Sequence, residues 1–274
     1  MPIANSSNRM SSGLGSRQNP YRFWETFLSV SVVAVCLVLA WEGLIRWGNI
    51  HPILLPPPSQ VLQTAWENRE RLFQGSLMTG WAALVGLCLS VTIGLIIGIL
   101  FSQFRALRIG FFPYVMFLQT VPIIGIAPLL VTWSGYQFRT VVYVVVIISL
   151  FPVINSVTAG LMATDSAGLD LFRLYGAGRI KTLLKLRLPA AVPAILVGVR
   201  TSGGLAVIGA IVGDFFIGFG GSHDGLGTLM LSWLNQQHTA SLIAAMFASA
   251  AVGLAIYGLI HLVSLLLLRR WIRV

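Results

Sequence analysis

The chain has 274 residues, of which 56% are hydrophobic and only 9% are charged. Soluble domains carry about a quarter charged residues, so this composition excludes a soluble globular protein and indicates an integral membrane protein. The formal net charge of +10 does not indicate a nucleic-acid partner, because the cations cluster at the ends of apolar segments rather than in one patch.

Six apolar segments are long enough to cross a hydrocarbon core of about 30 Å as helices. Their predicted bounds are 26–46, 76–101, 109–133, 139–162, 189–213 and 240–268. The predicted fold class is therefore an all-α integral membrane protein, with a transmembrane domain over 26–268 between short tails at 1–25 and 269–274. The first segment has no small-residue cleavage pattern, which favours a retained span over a secretory signal.

Lysine and arginine are unevenly distributed between the segments that link the spans. They concentrate in both tails, at Arg105 and Arg108, and in residues 165–189. The positive-inside rule therefore predicts that both termini and residues 165–189 are cytoplasmic.

The second span carries a small residue at every fourth position, which predicts that another helix approaches it closely. This small-residue stripe consists of Ala82, Gly86, Ser90, Gly94 and Gly98. Such a stripe specifies packing rather than chemistry.

The third span contains three prolines, Pro113, Pro122 and Pro128. In a bilayer the carbonyls that proline frees must be satisfied by neighbours, side chains or water. A kinked helix that lines a solute pathway and a bent structural helix both explain this pattern. Pro122, Pro128 and Asn155 of the fourth span are the candidate pathway residues on the first interpretation.

Residues 165–189 form the only long run between two apolar segments that is both helix-patterned and rich in cations. Gly176, Ala177 and Gly178 divide it, because glycine costs about 1 kcal/mol against alanine inside a helix and commonly ends one. Two short helices are therefore predicted. Pro189 suits the first turn of the helix that follows.

Two ionisable residues belong to the fifth span. Arg200 lies about 16 Å past Pro189 along a helix, near mid-bilayer, where its insertion alone costs about 2.5–3.5 kcal/mol. It either lines a pathway for an anionic solute or pairs structurally with a carboxylate or with freed carbonyls. Asp214, at the outer end, caps the next loop, lines a gate or pairs with Arg139, and the structural role is favoured.

No residue pattern indicates catalysis, a metal or a cofactor. The chain has no GxxxxGK[ST] or HExxH motif, and its histidines lack metal-ligand spacing. Cys36 and Cys88 lie within apolar runs and offer no CxxC site. Two alternatives stay open. One is an ATP-independent secondary transporter or channel, although mid-span acidic residues and an inverted repeat are not evident. The other is a membrane enzyme that depends on Asp214 or a histidine.

Residues 170–189 resemble the EAA loop of ABC importer permeases. Asp170-Leu171-Phe172, Gly176 and Leu186-Arg187-Leu188-Pro189 stand at the spacing of that motif, although bulky residues replace its two alanines. The segments LPPPSQVLQTAWE, PIIGIAPLLVTW, FPVINSVTAG and LPAAVPAILVGVRTSGGLAVIGAIVGDFFIG are similar to permeases of the nitrate, sulfonate, taurine and bicarbonate group.

The resemblance implies a type I importer permease with six transmembrane helices in a bacterial-type inner membrane. Its implied partners are two ATP-binding cassette subunits that hydrolyse ATP, a second permease copy in a homodimer, an external solute-binding protein and membrane lipid. The implied solute is a small anion of the nitrate, sulfonate, taurine or bicarbonate type, or alternatively a thiamine precursor or riboflavin.

In this family the EAA loop forms the coupling helix that sits in a groove of the ATPase. The apolar side chains predicted to dock there are Leu169, Phe172, Ile180 and Leu183. The ATPase-coupling residues that the resemblance implies are Asp170, Phe172, Gly176, Ala177, Ile180, Lys181, Leu186, Leu188 and Pro189.

Overall fold

A computed structural model describes residues 20–48, 50–217 and 224–271. Its side chains are described from residue 28 to residue 268, within the same ranges. Residues 1–19, residue 49, residues 218–223 and the last three residues lie outside the described residues, as do the predictions made for them. Throughout the described ranges every regular element is helical.

The helices follow one another with short connections. Their bounds are α1 Pro20–Trp47, α2 Pro58–Glu67, α3 Arg69–Gln103, α4 Arg105–Thr120, α5 Ile123–Ser134, α6 Phe138–Met162, α7 Ser166–Leu174, α8 Arg179–Thr182, α9 Leu188–Ile217, α10 Leu226–Asn235 and α11 Thr239–Trp271. A π-helical turn over Leu183–Arg187 joins α8 to α9. The chain divides into two compact units after Ile50, so α1 belongs to the first unit and α2 to α11 belong to the second.

Five helices in the described ranges are long and apolar enough to cross a membrane, and α4 with α5 form a sixth candidate if they are one broken span. The span predicted over 109–133, with a kink or bend at its prolines, consists of two separate helices, because α4 and α5 meet at an angle of 97°. The break falls at Val121, whose backbone is extended at φ −70° and ψ 127°. A residue before proline disfavours the helical region, and Pro122 then begins a new helix.

The small-residue stripe of α3 packs against α6. All five of its members are buried. A Cβ atom added at Gly86, Gly94 or Gly98 falls 2.4, 2.6 or 2.6 Å from a side-chain atom of Val145, Val153 or Val157, respectively. Because the residue numbers rise together along both helices, α3 and α6 run parallel.

The helix α9 packs against α6 in the opposite direction. A Cβ atom at Gly160 falls 2.8 Å from Ala194 Cβ, and one at Gly213 falls 3.1 Å from Val141. The helix α11 in turn runs antiparallel to α9, because Gly203 adjoins Ile260 while Gly253 adjoins Val207. Three helices, α3, α6 and α11, therefore point one way and α9 points the other way.

The directions of α3 and α6 determine the path of α4 and α5, the two helices of the broken span. The helix α3 ends at the end of the bundle where α6 also ends, yet α6 begins at the opposite end. Since α4 and α5 are the only helices between them, the pair carries the chain back across the bundle. Legs of 16 and 12 residues at near right angles separate their ends by about 30 Å, which matches one bilayer crossing.

Candidate functional site

The segment between α6 and α9 leaves the bundle at one end, called the loop end below, and its shape depends on Gly176. The N–H of Ala177 donates to the Phe172 carbonyl at 2.9 Å, and the N–H of Gly176 donates to the Arg173 carbonyl at 2.9 Å. These two bonds form a Schellman motif, which requires a left-handed residue, and Gly176 has φ +65°. The predicted helix break at glycine is confirmed.

The side chains that this segment exposes differ from the predicted docking set. Leu169, Phe172 and Leu183 are half-buried against the chain itself, whereas Ile180 is 74% exposed. The docking face, as defined by the structure, consists of the exposed apolar residues Leu171, Leu174, Tyr175, Ile180 and Leu184. Leu171 and Leu174 lie in α7 and Tyr175 is its C-cap residue; the spacing i, i+3 and i+4 places all three on one side of that helix.

The remaining predicted coupling residues surround this face. Asp170 accepts a hydrogen bond from Arg173 at 3.0 Å in an exposed ion pair, and Lys181 is exposed. Ala177, Leu186, Leu188 and Pro189 are half-buried. Leu186 lies under α7, where a Cβ atom at Gly168 falls 3.3 Å from its Cδ1.

Two predicted pathway residues, Asn155 on α6 and Arg200 on α9, lie at about the same height in the bundle. A Cβ atom added at Gly198 falls 2.6 Å from Ser156 Cβ, and these two positions are one or two residues from Asn155 and Arg200. The Asn155 side chain is exposed and makes no hydrogen bond within the described residues, and Arg200 Nε donates only to Ser264 Oγ, at 3.4 Å. Inside a membrane-spanning helix, an amide and a guanidinium with so few partners need hydrogen bonds from water or from another protein.

The helix α9 also exposes a hydroxyl beside Arg200 that the sequence analysis did not select. Thr201 is exposed and its Oγ1 donates to the Val197 carbonyl at 3.1 Å. Gly204, one turn further, is exposed with no atom within 4 Å of an added Cβ. The exposed side of α9 is therefore locally polar and open.

Pro122 and Pro128 both lie on the exposed surface of α5. The opposite side of this helix buries Ala127 and Val131 against α6 and α9. Thr132 Oγ1 donates to the Pro128 carbonyl at 2.9 Å. The second helix of the broken span, α5, thus packs against the helices that carry Asn155 and Arg200.

Asp214 is fully buried inside α9, one turn before the helix ends at Ile217. Thr79 Oγ1 of α3 donates to its Oδ2 at 2.6 Å and accepts the Leu226 N–H of α10 at 2.8 Å. An added Cβ at Gly225 falls within 2.0 Å of the carboxylate, so only glycine fits there. This cluster holds three helices together, which agrees with the structural role favoured for Asp214.

The proposed pairing of Asp214 with Arg139 is not the contact that Arg139 makes. The Arg139 guanidinium donates to the Ser134 carbonyl at 3.0 and 3.2 Å, across the turn between α5 and α6. Within the described residues, no group of three His, Cys, Asp or Glu side chains is placed to hold a metal ion.

A polar cavity of about 430 Å³ opens at the end opposite the loop end, between α2 and the turn from α10 to α11. Glu67, Arg71 and His238 contribute titratable groups to its wall. Gln237, also in the wall, has φ 57°, because it occupies the left-handed position of the Schellman motif that ends α10. The sequence analysis missed this cavity, since its residues come from distant segments.

Comparison with known proteins shows which family this chain belongs to. Residues 90–273 match the protein family described as "Binding-protein-dependent transport system inner membrane component". The chain belongs to this family. The permease is 33% identical over 221 residues to a probable ABC transporter permease protein of Haemophilus influenzae, a match that covers 81% of the permease and 89% of the relative.

Two further relatives carry names that mention a solute. The formylaminopyrimidine transport permease protein ThiX of Halalkalibacterium halodurans is 29% identical and covers 83% of the permease and 89% of its own chain. A putative aliphatic sulfonates transport permease protein, SsuC of Bacillus subtilis, is 25% identical and covers 86% and 85%.

A solved structure supports the fold. The structure titled "Crystal structure of an amino acid ABC transporter with histidines" aligns with a TM-score of 0.57 over 76% of the permease and 97% of that chain, at 19% identity. The all-helical type I importer permease fold is therefore confirmed, as is the resemblance to ABC transporter permeases.

Proposed function

We propose that this permease couples to ATP-binding cassette subunits through the segment 165–189 and conducts a small solute past Asn155 and Arg200. The observation that carries the proposal is the docking face, five large apolar side chains that the chain leaves between 51% and 85% exposed. Exposed apolar patches rimmed by polar groups mark protein interaction sites. Here Asp170, Arg173 and Lys181 supply that rim.

The orientation follows from the cations of the loop end. Arg105 and Arg108 at the start of α4 lie at the same end of the bundle as residues 165–189. The positive-inside rule assigns this end to the cytoplasm of a bacterial-type plasma membrane, together with both termini. ATP-binding subunits at the cytoplasmic face therefore meet the docking face, and an external solute-binding protein meets the opposite end, where the polar cavity opens.

A second permease copy completes the pathway in this proposal. The helix α4 buries none of its residues within the described chain, and Phe111, Tyr114 and Phe117 on it are 58%, 70% and 65% exposed. A homodimer that covers the broken span would place Arg200 and Asn155 of both copies around a shared channel. Membrane lipid would cover the remaining apolar surface.

A small anion is the proposed solute. The Arg200 guanidinium is the charge that the described spans present at mid-height with a single, long hydrogen bond. Nitrate, sulfonate, taurine and bicarbonate carry the charge that such a group attracts. The name of the ThiX relative supports a thiamine precursor as the second candidate, and riboflavin is the third.

The coupling proposal is tested by placing a carboxylate on the docking face. Leu174 is 85% exposed, so Leu174→Asp is tolerated by the fold but puts an unpaired charge into an apolar groove of the ATPase. A leucine that becomes buried contributes about 1.5–3 kcal/mol, so its loss weakens the association by at least about tenfold. Copurification with the ATPase and ATP-dependent uptake in liposomes measure the effect.

The matched control is Leu62→Asp on α2, at the opposite end of the bundle. Leu62 is 76% exposed, so the chemical change and the exposure are comparable. We expect Leu62→Asp to retain the ATPase and Leu174→Asp to lose it. If Leu174→Asp still copurifies and still couples ATP hydrolysis to uptake, the docking face is not the coupling surface.

A further inference from the structure

An arginine cavity of about 250 Å³ lies at the base of the segment 165–189, beside the docking face, whose polar rim shares Arg173 with it. Arg173 of α7, Arg179 of α8 and Arg187 of the π-helical turn line it, together with Gln103 at the end of α3. Three arginines from three successive elements therefore line one space.

The lining of the arginine cavity carries positive charges that the surrounding acceptors do not match. Asp170 accepts a hydrogen bond from Arg173, and both side chains are mostly exposed. The Arg187 Nε is buried and has no hydrogen-bond partner among the described residues. A buried donor on a charged group is costly unless an acceptor reaches it, so the cavity is built for an anionic acceptor that the chain does not itself supply.

The geometry of the donors selects the class of anion. Guanidinium groups present planar forks of N–H donors that match phosphate oxygens in pairs. Thr182 and Gln103 add a hydroxyl and an amide to the same wall. The volume is large enough for a phosphate group with its ester substituent, and the lining is more polar than apolar.

The height of the cavity indicates where the phosphate comes from. Gln103 is the last residue of α3, and Arg187 immediately precedes α9, so the cavity lies where two membrane-crossing helices end. Lipid headgroups occupy this level, and basic pockets between transmembrane helices bind anionic headgroups. We infer that the arginine cavity binds a phosphate group at the membrane surface, either from an anionic phospholipid or as free phosphate.

The experiment measures phosphatidylglycerol retained by the purified full-length protein after exchange into a neutral detergent, by native mass spectrometry. Arg179→Gln is the main variant, because Arg179 is exposed and its loss does not disturb the core. Arg187→Gln is the second. We expect each to lower retention by about fivefold, the contribution of one cation near a lipid headgroup.

The matched controls are Lys181→Gln and Lys185→Gln, which remove one charge each from the same loop without touching the cavity wall. They are expected to retain phosphatidylglycerol like the unaltered protein. Equal losses in the lysine and arginine variants would show general attraction to positive charge and would overturn the site.

A separate arm distinguishes the two sources of phosphate. The protein in phosphatidylcholine nanodiscs is titrated with inorganic phosphate while its thermal midpoint is recorded. A rise that Arg179→Gln abolishes identifies free phosphate as a ligand, and no rise together with arginine-dependent phosphatidylglycerol retention identifies the lipid. If neither ligand depends on Arg179 or Arg187, the inference is wrong.

Discussion

Replacing Gly94 with alanine tests the contact that makes α3 run parallel to α6, and with it the path inferred for α4 and α5. A Cβ atom at Gly94 lies 2.6 Å from Val153 Cγ1 and 2.8 Å from Val153 Cβ. Ordinary carbon–carbon contacts are about 3.5–4.0 Å, so α3 and α6 must separate by roughly 1 Å or Val153 must move. Val153 is fully buried and has no open space to enter.

The expected loss in the free energy of unfolding on Gly94→Ala is the difference between two opposing effects. Alanine gains up to about 1 kcal/mol over glycine within a helix, whereas overpacking costs about 1–3 kcal/mol, which leaves a net loss of up to about 2 kcal/mol. Val153→Ala alone removes two buried methyl groups and costs about 2 kcal/mol. In the double variant the new methyl group fills part of that space, so the two losses partly cancel and the coupling energy is about 2 kcal/mol.

The assay is the free energy of unfolding, measured by titration with sodium dodecyl sulfate in mixed micelles. Val145→Ala is the mismatched partner, because Val145 contacts Gly86 rather than Gly94. Gly110→Ala is the open-space control, since no atom lies within 4 Å of its added Cβ. If Val145→Ala rescues Gly94→Ala as well as Val153→Ala does, the register and the parallel arrangement of α3 and α6 are wrong.

Two further predictions concern the end opposite the loop end. Gln237→Gly is expected to raise the free energy of unfolding by about 1 kcal/mol, because glycine adopts φ 57° without the cost that L side chains incur; an equal gain from Gln237→Ala would contradict this reason. Thr79→Val is expected to destabilise by about 2–3 kcal/mol, since the Leu226 N–H and Asp214 lose a buried partner. Thr79→Ser keeps the hydroxyl and is the control, and equal losses in both would exclude the hydrogen bonds as the cause.

The sequence predicted those features that depend on local pattern. Apolar length located the helices, the four-residue spacing of small residues marked the packed side of α3, and Gly176 marked the end of α7. Each of these signals arises within one segment. The buried stripe and the left-handed Gly176 confirm the physical reasoning behind them.

Features that depend on contacts between distant segments were not predictable in this way. Three prolines in the third span indicated a bend, but only the extended Val121 shows that the bend separates two helices. Asp214 has the same sequence signal whether it lines a gate or holds helices together, and its contacts with Thr79, Gly225 and Thr228 join distant segments. The docking face differs from the predicted set because burial against distant segments, as of Leu183 against the core cluster of Val153 and Val157, has no pattern in the sequence.

The helices α6 and α9, which flank the segment 165–189, also carry the proposed pathway residues. Asn155 lies seven residues, or about 11 Å, before the end of α6, and Arg200 lies about 18 Å into α9. These two helices are in close contact, with Gly160 against Ala194 and Gly198 against Ser156. Sliding or separating them would open contacts in which backbones lie as near as glycine permits. If the proposed coupling is right, we therefore expect a displacement at the docking face to move α6 and α9 as one body, so that the proposed pathway would open between this pair and a facing element rather than between α6 and α9 themselves.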